Sequence, residues 1–571
     1  MKRILRYIAR YKLRFAGAMG TKTAAAFVEL FIPWVLAQII DVIIPTRSVP
    51  SVLLWGGLMV LCSLLAWLGN ISANRMAAAV SRDVTEDVRG DLFKRISYLT
   101  NRDIDRFTIP SLITRMTSDT YVVHRSVGMM QRIGIRAPIM LVGGIVMTIT
   151  LDPVLTLVMV ATMPVVAYIT FTISRKGVKL FRNVQTGSDE LFRVVRENAT
   201  GVRVIKALSK SEYERRRFAE TNTDLTAREK KASDTMAIIN PSMTFMLNMG
   251  LVAVVLVGAF RVNAGLTGVG NIIAFMNYFT IILNALMSIN RIFTMLSQMM
   301  ASCDRIAEVL DCDDELSLHT ETEIKPVEGA PHIEFRDVTF TYPYSKFTLD
   351  HFNFAVNHGE TLGIIGATGA GKSTILQVLM RFYEVTGGSI LVDGVDVREY
   401  SAQELRGKFG VVFQNDILFN DTIMENIRFG REIAMEDIER AVEDAQAAGF
   451  IEETGGYDAQ LSIKGANLSG GQKQRLLIAR ALAGTPEILV LDDSSSALDY
   501  KTDAQLREKI REHHDASTKI IIAQRISSVM HAEKILVLDE GRIVGYGSHK
   551  ELMAGCPLYR EIGETQMGVS E

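Results

Sequence analysis

The chain has 571 residues, 62 Lys and Arg against 64 Asp and Glu, four Cys and 48% hydrophobic residues. At roughly 150 residues per domain this length predicts about three or four domains, and the near-neutral charge excludes a protein that works mainly by neutralising nucleic-acid phosphates. A mean hydropathy of +0.18 in a chain that is 22% charged requires apolar and charged residues to be segregated, so a membrane part joins a soluble part. Cys62, Cys303, Cys312 and Cys556 are scattered, without the spacing of a disulfide framework or a zinc site.

Residues 1–14 interleave basic side chains with Ile4, Leu5, Ile8 and Leu13, the pattern of an interfacial helix leading into a first span. The apolar run that follows is too long for a signal peptide. A helix needs about 20 apolar residues to cross a hydrocarbon core of about 30 Å. Residues 48–74, 137–151, 153–174, 235–260 and 262–290 carry no charge, and 15–44 carries only Lys22, Glu29 and Asp41. Six spans are therefore predicted, the third extending backward past Arg136 and Arg132. Their connections alternate between very short ones and two long ones, residues 75–125 and 175–234.

Leu92, Phe93, Ile96 and Leu99 recur at helical spacing, so the long connections read as spans continuing well beyond the membrane. Residues 175–231 hold fifteen Lys and Arg, which puts these connections and both termini on the cytoplasmic side. Ionisable groups inside a span face a cavity or a partner, making Glu29 a candidate substrate contact, with structural pairing as the alternative. Lys22, two turns earlier on the same face, is near enough to the inner interface to snorkel. Residues 311–331 break both hydrophobicity and periodicity and read as a linker. From residue 332 to 571 the pattern is that of a soluble α/β domain.

Residues 366–374 read GATGAGKST between a strand-like TLGII and a helical ILQVLMRF. In that setting Gly366, Thr368, Gly369, Gly371, Lys372, Ser373 and Thr374 form a phosphate-binding loop. Its glycines let backbone N–H groups and a helix N-terminus surround phosphate oxygens. Lys372 reaches the β and γ phosphates of ATP and Ser373 ligates Mg²⁺. Residues 487–492, EILVLD, read as a buried parallel strand delivering Asp492 as a second Mg²⁺ ligand. Between them lies LSGGQ, the residues Leu468, Ser469, Gly470, Gly471 and Gln472, at the start of a helix.

Over nearly its whole length the chain resembles a half-transporter of the ATP-binding cassette (ABC) family, of the exporter type. The resemblance implies an α-helical transmembrane bundle of six long helices (residues 15–310, the type I exporter or type IV ABC fold) behind an elbow at 1–14. An α/β P-loop ATPase domain at 332–571 follows. It implies ATP and Mg²⁺ as cofactors, and a second half-transporter chain whose phosphate loop is closed by this chain's LSGGQ signature. Tyr342 in FTYP matches the aromatic that stacks on adenine, and Gln414 in VVFQND the glutamine that touches Mg²⁺ and couples to the membrane domain. Ser496, Ala497, Leu498 and Asp499 match the D-loop. Residues 92–107 and 112–119 resemble the first intracellular loop, and 197–218 the second.

Two positions depart from the family pattern. Asp493 stands where a glutamate normally serves as general base, and Gln524 where a histidine normally acts as the switch. Together with an intact signature, these imply the weak-site half of a heterodimeric exporter in the cell membrane, with hydrolysis dominated by the partner's site. The implied substrates are amphipathic small molecules, peptides or lipids. The alternatives are an exporter-fold half that imports siderophores and an ATP-gated regulatory or channel-like protein.

Overall fold

The computed structural model describes residues 2–312, 326–343, 348–494 and 496–567. Most of the expected linker, residues 313–325, lies outside the described residues. The chain forms two compact units, residues 1–94 with 110–311, and residues 95–109 with 312–571.

The first unit is helical. Among the described residues, five helical stretches are long and apolar enough to cross a membrane: Lys12–Thr46, Val49–Ser97, Ile109–Leu151, Ser211–Asn263 and Val269–Leu310. The remaining expected span, 153–174, begins the 55-residue helix Pro153–Ala207, whose described apolar run is Pro153–Val165. At 1.5 Å per residue, the 49-residue helix Val49–Ser97 is roughly 74 Å long, more than twice the hydrocarbon thickness of about 30 Å. Its charged second half therefore extends beyond the membrane, as the sequence suggests. The helix Lys2–Arg10 precedes the first span and breaks at Tyr11. Tyr7, Arg10 and Arg14 reach Asp91, Asp87 and Asp83 at 2.7, 3.2 and 3.1 Å. Those three acids recur every four residues, so they form one stripe on the helix Val49–Ser97.

Spans approach closely where glycine removes a side chain. A Cβ on Gly143 would stand 2.5 Å from Leu30 Cδ1, and one on Gly250 would stand 2.5 Å from Phe279 Cζ. Such small residues let helix backbones pack in a medium without a hydrophobic driving force between helices. Tyr278, fully buried beside them, donates its hydroxyl to the Leu30 carbonyl at 2.6 Å. Charges at the span ends close the connections. Asp41 accepts from the backbone N–H groups of Gly270 and Asn271 at 2.6 and 2.9 Å, a carboxylate at a helix N-terminus where the dipole favours it. Asp152, 2% exposed, caps the helix Pro153–Ala207 through Val154 N–H at 2.9 Å and pairs with Arg261 at 2.8 Å.

The second unit holds two sheets. Strands β1 (Ile333–Thr341), β2 (Thr348–Val356), β4 (Gly387–Val392) and β5 (Val395–Asp396) form an antiparallel sheet in the order β2-β1-β4-β5. The other sheet contains β3 (Thr361–Gly366), β6 (Phe409–Val412), β7 (Ile488–Asp492), β8 (Thr518–Ile522), β9 (Lys534–Asp539) and β10 (Arg542–Gly547). Its order is β10-β9-β3-β8-β7-β6, parallel except for β10. Strand β7 is buried at every position, which explains its unbroken apolar run. The short helix Asn101–Phe107 belongs to this unit, and its Asp105 accepts from the Tyr383 hydroxyl at 2.5 Å.

Candidate nucleotide-binding site

Strands β3 and β7 flank β8, and their C-terminal ends deliver the loop 366–371 and Asp492 to one place. This is the end of a parallel sheet at which ligands bind in open α/β folds. Gly369 and Gly371 adopt φ of +85° and +103°, a region that side chains with a Cβ rarely enter. A Cβ on Gly366 would stand 2.3 Å from the Leu538 carbonyl oxygen. The loop therefore leaves β3 tight against β9 and turns into the helix Lys372–Leu379, whose N-terminal residues line the cavity.

The cavity has a volume of about 290 Å³. It is lined by Tyr342, Thr368, Gly369, Gly371, Lys372, Ser373 and Thr374 on one side, and by Gln414, Asp492, Asp493 and Gln524 on the other. The Lys372 ammonium donates to the carbonyls of Gly366 and Ala367 at 2.8 and 2.9 Å, and burial lowers its pKa. Ser373 Oγ donates to Asp492 Oδ2 at 2.8 Å. Asp492 is 4% exposed, and burial raises its pKa against the opposing Ser373 hydrogen bond, with the Asp493 charge adding to the rise. A hydroxyl and a desolvated carboxylate side by side are the hard oxygen donors that Mg²⁺ takes, and a cation there would relieve the buried charge. Tyr342 stands edge-on to Phe340 and Tyr383, and its hydroxyl lies 3.4 Å from Thr374 Oγ1. Ile522 and Ala523 complete the wall; nothing in their apolar identity distinguishes them in the sequence.

Asp493 has φ of +49°, a left-handed conformation that Asp tolerates better than most residues. Its Oδ2 accepts from Gln524 Nε2 at 3.3 Å, so the two departures from the family pattern touch each other.

The signature residues do not line this cavity. Ser469 caps the helix Gly470–Leu482 and Gln472 closes a capping box, with Ser469 N–H to Gln472 Oε1 at 2.8 Å. Leu468 is buried and Ser469 and Gly470 are exposed. The signature is braced by the segment expected to be a D-loop: Gln474 Oε1 accepts from Ala497 N–H at 3.0 Å and Gln474 Nε2 donates to Ser496 Oγ at 3.2 Å. A Cβ on Gly471 would stand 3.1 Å from the Ala497 carbonyl oxygen, a contact tight enough to push that segment aside by a few tenths of an ångström. Leu498 packs on the adjacent core, and Asp499 caps the helix Tyr500–His513 through Thr502 N–H at 3.0 Å.

In the membrane unit, Glu29 is engaged by Arg136, whose Nη2 and Nε reach its two oxygens at 2.5 and 3.3 Å. Lys22 is 5% exposed and donates to Asn70 and Asn74 at 2.7 and 3.2 Å. Snorkelling, the expectation for Lys22, is thus replaced by an amide pair on the neighbouring span.

A helical membrane unit followed by a two-sheet P-loop unit defines an ATP-driven, multi-pass membrane transporter. Residues 16–286 match the family of the ABC transporter transmembrane region, and residues 349–496 match the ABC transporter family of ATP-binding domains. The chain is 35% identical over 575 residues to an uncharacterized ABC transporter ATP-binding protein, YfiB, of Bacillus subtilis, covering 100% of this chain and 99% of that protein. It is 33% identical over 522 residues to an ATP-dependent lipid A-core flippase of Aromatoleum aromaticum, covering 90% and 86%. A solved structure of a bacterial Atm1-family ABC exporter with ATP bound superposes with a TM-score of 0.81 at 25% identity, covering 99% of both chains. The chain belongs to the ABC transporter family and is a half-transporter of the exporter type, with the type IV fold.

Proposed function

We propose that this chain exports an amphipathic substrate across the cell membrane as the catalytically weak half of a heterodimeric ABC transporter. The observation that carries the reading is the contact of Gln524 with Asp493 at 3.3 Å beside the phosphate loop. A neutral amide faces a shortened carboxylate where hydrolysis needs a positioned base and a group able to carry positive charge. The residues that bind nucleotide are intact. Gly366 to Thr374 supply the backbone donors, Lys372 the ammonium for the terminal phosphates, and Tyr342 the adenine platform. Ser373 and Asp492 would hold Mg²⁺, with Gln414 at the cavity wall; the ion neutralises charge on the β and γ phosphates. Ser469, Gly471 and Gln472 lie outside this cavity, and the helix start at Gly470 and Gly471, fixed by the Ser469–Gln472 capping box, presents backbone N–H groups for the partner's nucleotide.

Binding thus persists while hydrolysis at this site is slow, and the partner's site dominates turnover. The lengths of the helices Val49–Ser97 and Pro153–Ala207, and the basic outer half of the second, support a cytoplasmic ATPase domain. The similarity to a lipid A-core flippase favours lipids among the amphipathic substrates. The test is ATP binding and hydrolysis by the purified single chain: tight binding with slow, non-cooperative hydrolysis supports the reading. Robust cooperative hydrolysis at rates usual for the family overturns it.

A further inference from the structure

The nucleotide cavity lies at the C-terminal ends of β3 and β7. Near the N-terminal ends of these strands is a second cavity of about 620 Å³, lined by His332, His358, His513 and His514, four of the chain's nine histidines. His332 is 2% exposed, and its Nε2 has no hydrogen-bond partner among the described residues. Its Nδ1 lies 2.7 Å from Thr518 Oγ1. With Nδ1–H donating to that hydroxyl, Nε2 turns a bare lone pair toward Asp393 Oδ1, 3.7 Å away. His358 Nε2 faces the same oxygen at 3.2 Å. Both Nε2 atoms and the carboxylate oxygen are thus directed at one point, where a cation would take all three as ligands once His358 Nε2 is unprotonated.

We propose that His332, His358 and Asp393 form a binding site for a divalent transition metal of the zinc type, separate from the ATP site. The three donor atoms lie within 4.8 Å of one another, and tetrahedral Zn²⁺ asks for ligand atoms about 3.3 Å apart at Zn–N distances near 2.0–2.1 Å. Two imidazoles and one carboxylate are the donors such ions select over Mg²⁺ and Ca²⁺. The supporting contacts are in place: Thr518 orients His332, and Lys408 holds Asp393 Oδ2 at 3.1 Å and Glu487 at 2.6 Å. Partners of this kind orient metal ligands and tune their basicity. The His332 and His358 rings stack at 4.0 Å and 12°. His358 must tilt out of that stack to coordinate, a movement its exposed position on the turn before β3 permits.

The test is titration of the untagged full-length protein with Zn²⁺ against a chromogenic chelator, with thermal unfolding alongside. The wild type should bind one Zn²⁺ per chain and melt at a higher temperature with it. H358A should weaken binding at least about tenfold and lose the thermal shift. D393N should do the same without disrupting the turn, because Asn also tolerates the φ of +53° found there. H351A and H513A, whose histidines pair with Asp337 and Asp444, should bind as the wild type does. Absence of stoichiometric Zn²⁺ binding, equal binding by wild type and H358A, or loss in H513A alone would each overturn the proposal. None of these results bears on ATP binding, which is read separately.

Discussion

Restoring the two departures at positions 493 and 524 should raise hydrolysis at this chain's own site. Asp493→Glu extends the carboxylate by roughly 1.3 Å toward the cavity, and a misplacement of about 1 Å costs on the order of 100-fold in rate, or about 2.7 kcal/mol of barrier. The Gln524 contact that now orients the Asp493 carboxylate is 3.3 Å long, beyond the usual range for a strong N–H···O bond. Gln524→His replaces it with a ring that can carry a proton. The substitution has a cost in stability, since Asp493 sits at φ of +49° and a longer side chain there adds strain of about 1 kcal/mol. The assay is phosphate release in a reconstituted complex whose other ATP site has been inactivated, with nucleotide binding and melting temperature as controls. The double variant should release phosphate about 10 to 100 times faster than the wild type. An unchanged or lower rate in a folded complex that still binds ATP would refute the claim that these two side chains limit this site.

Three further outcomes follow from the same geometry. If this chain is the weak half of a heterodimer, Ser469→Arg should place a bulky cation against the partner's nucleotide and abolish most turnover of the complex, whereas Lys372→Ala should empty only this chain's site and leave residual hydrolysis; equal loss would reject the assignment of strong and weak sites. Glu29→Gln should lower the melting temperature by leaving Arg136 without its carboxylate partner, and Arg136→Gln in addition should restore it. Loss of cationic substrate transport in that rescued double variant, with transport kept by Arg136→Gln alone, would identify Glu29 as a substrate contact as well. Single cysteines at Leu266, 64% exposed between two spans, and at Ser211 should label from opposite sides of the membrane, and labelling of both from one side would reject the topology.

What could be read from the sequence was what a short stretch of chain determines by itself. The phosphate loop needs its glycines, lysine and serine within nine consecutive residues because one backbone turn makes the cradle. Strand β7 shows its burial as consecutive apolar residues ending in Asp492. The long helices likewise declare themselves by length. Which face of a span meets which neighbour is another matter. Each residue turns a helix by about 100°, and a helix that is apolar all round has no periodicity to show its buried side. So the partner of Glu29, 107 positions away at Arg136, and that of Asp41, 229 positions away at Gly270, had no local signal, and Lys22 looked like a snorkelling residue rather than one fixed by Asn70 and Asn74. The stripe at Asp83, Asp87 and Asp91 was the exception that a closer look at charge spacing could have found, because four-residue intervals mark one helical face without reference to the partner. His332, His358 and Asp393, like the partners of Glu29 and Asp41, had no local signal. Each sits at the end of a different strand or in a turn, and only the order of strands in the two sheets brings them together.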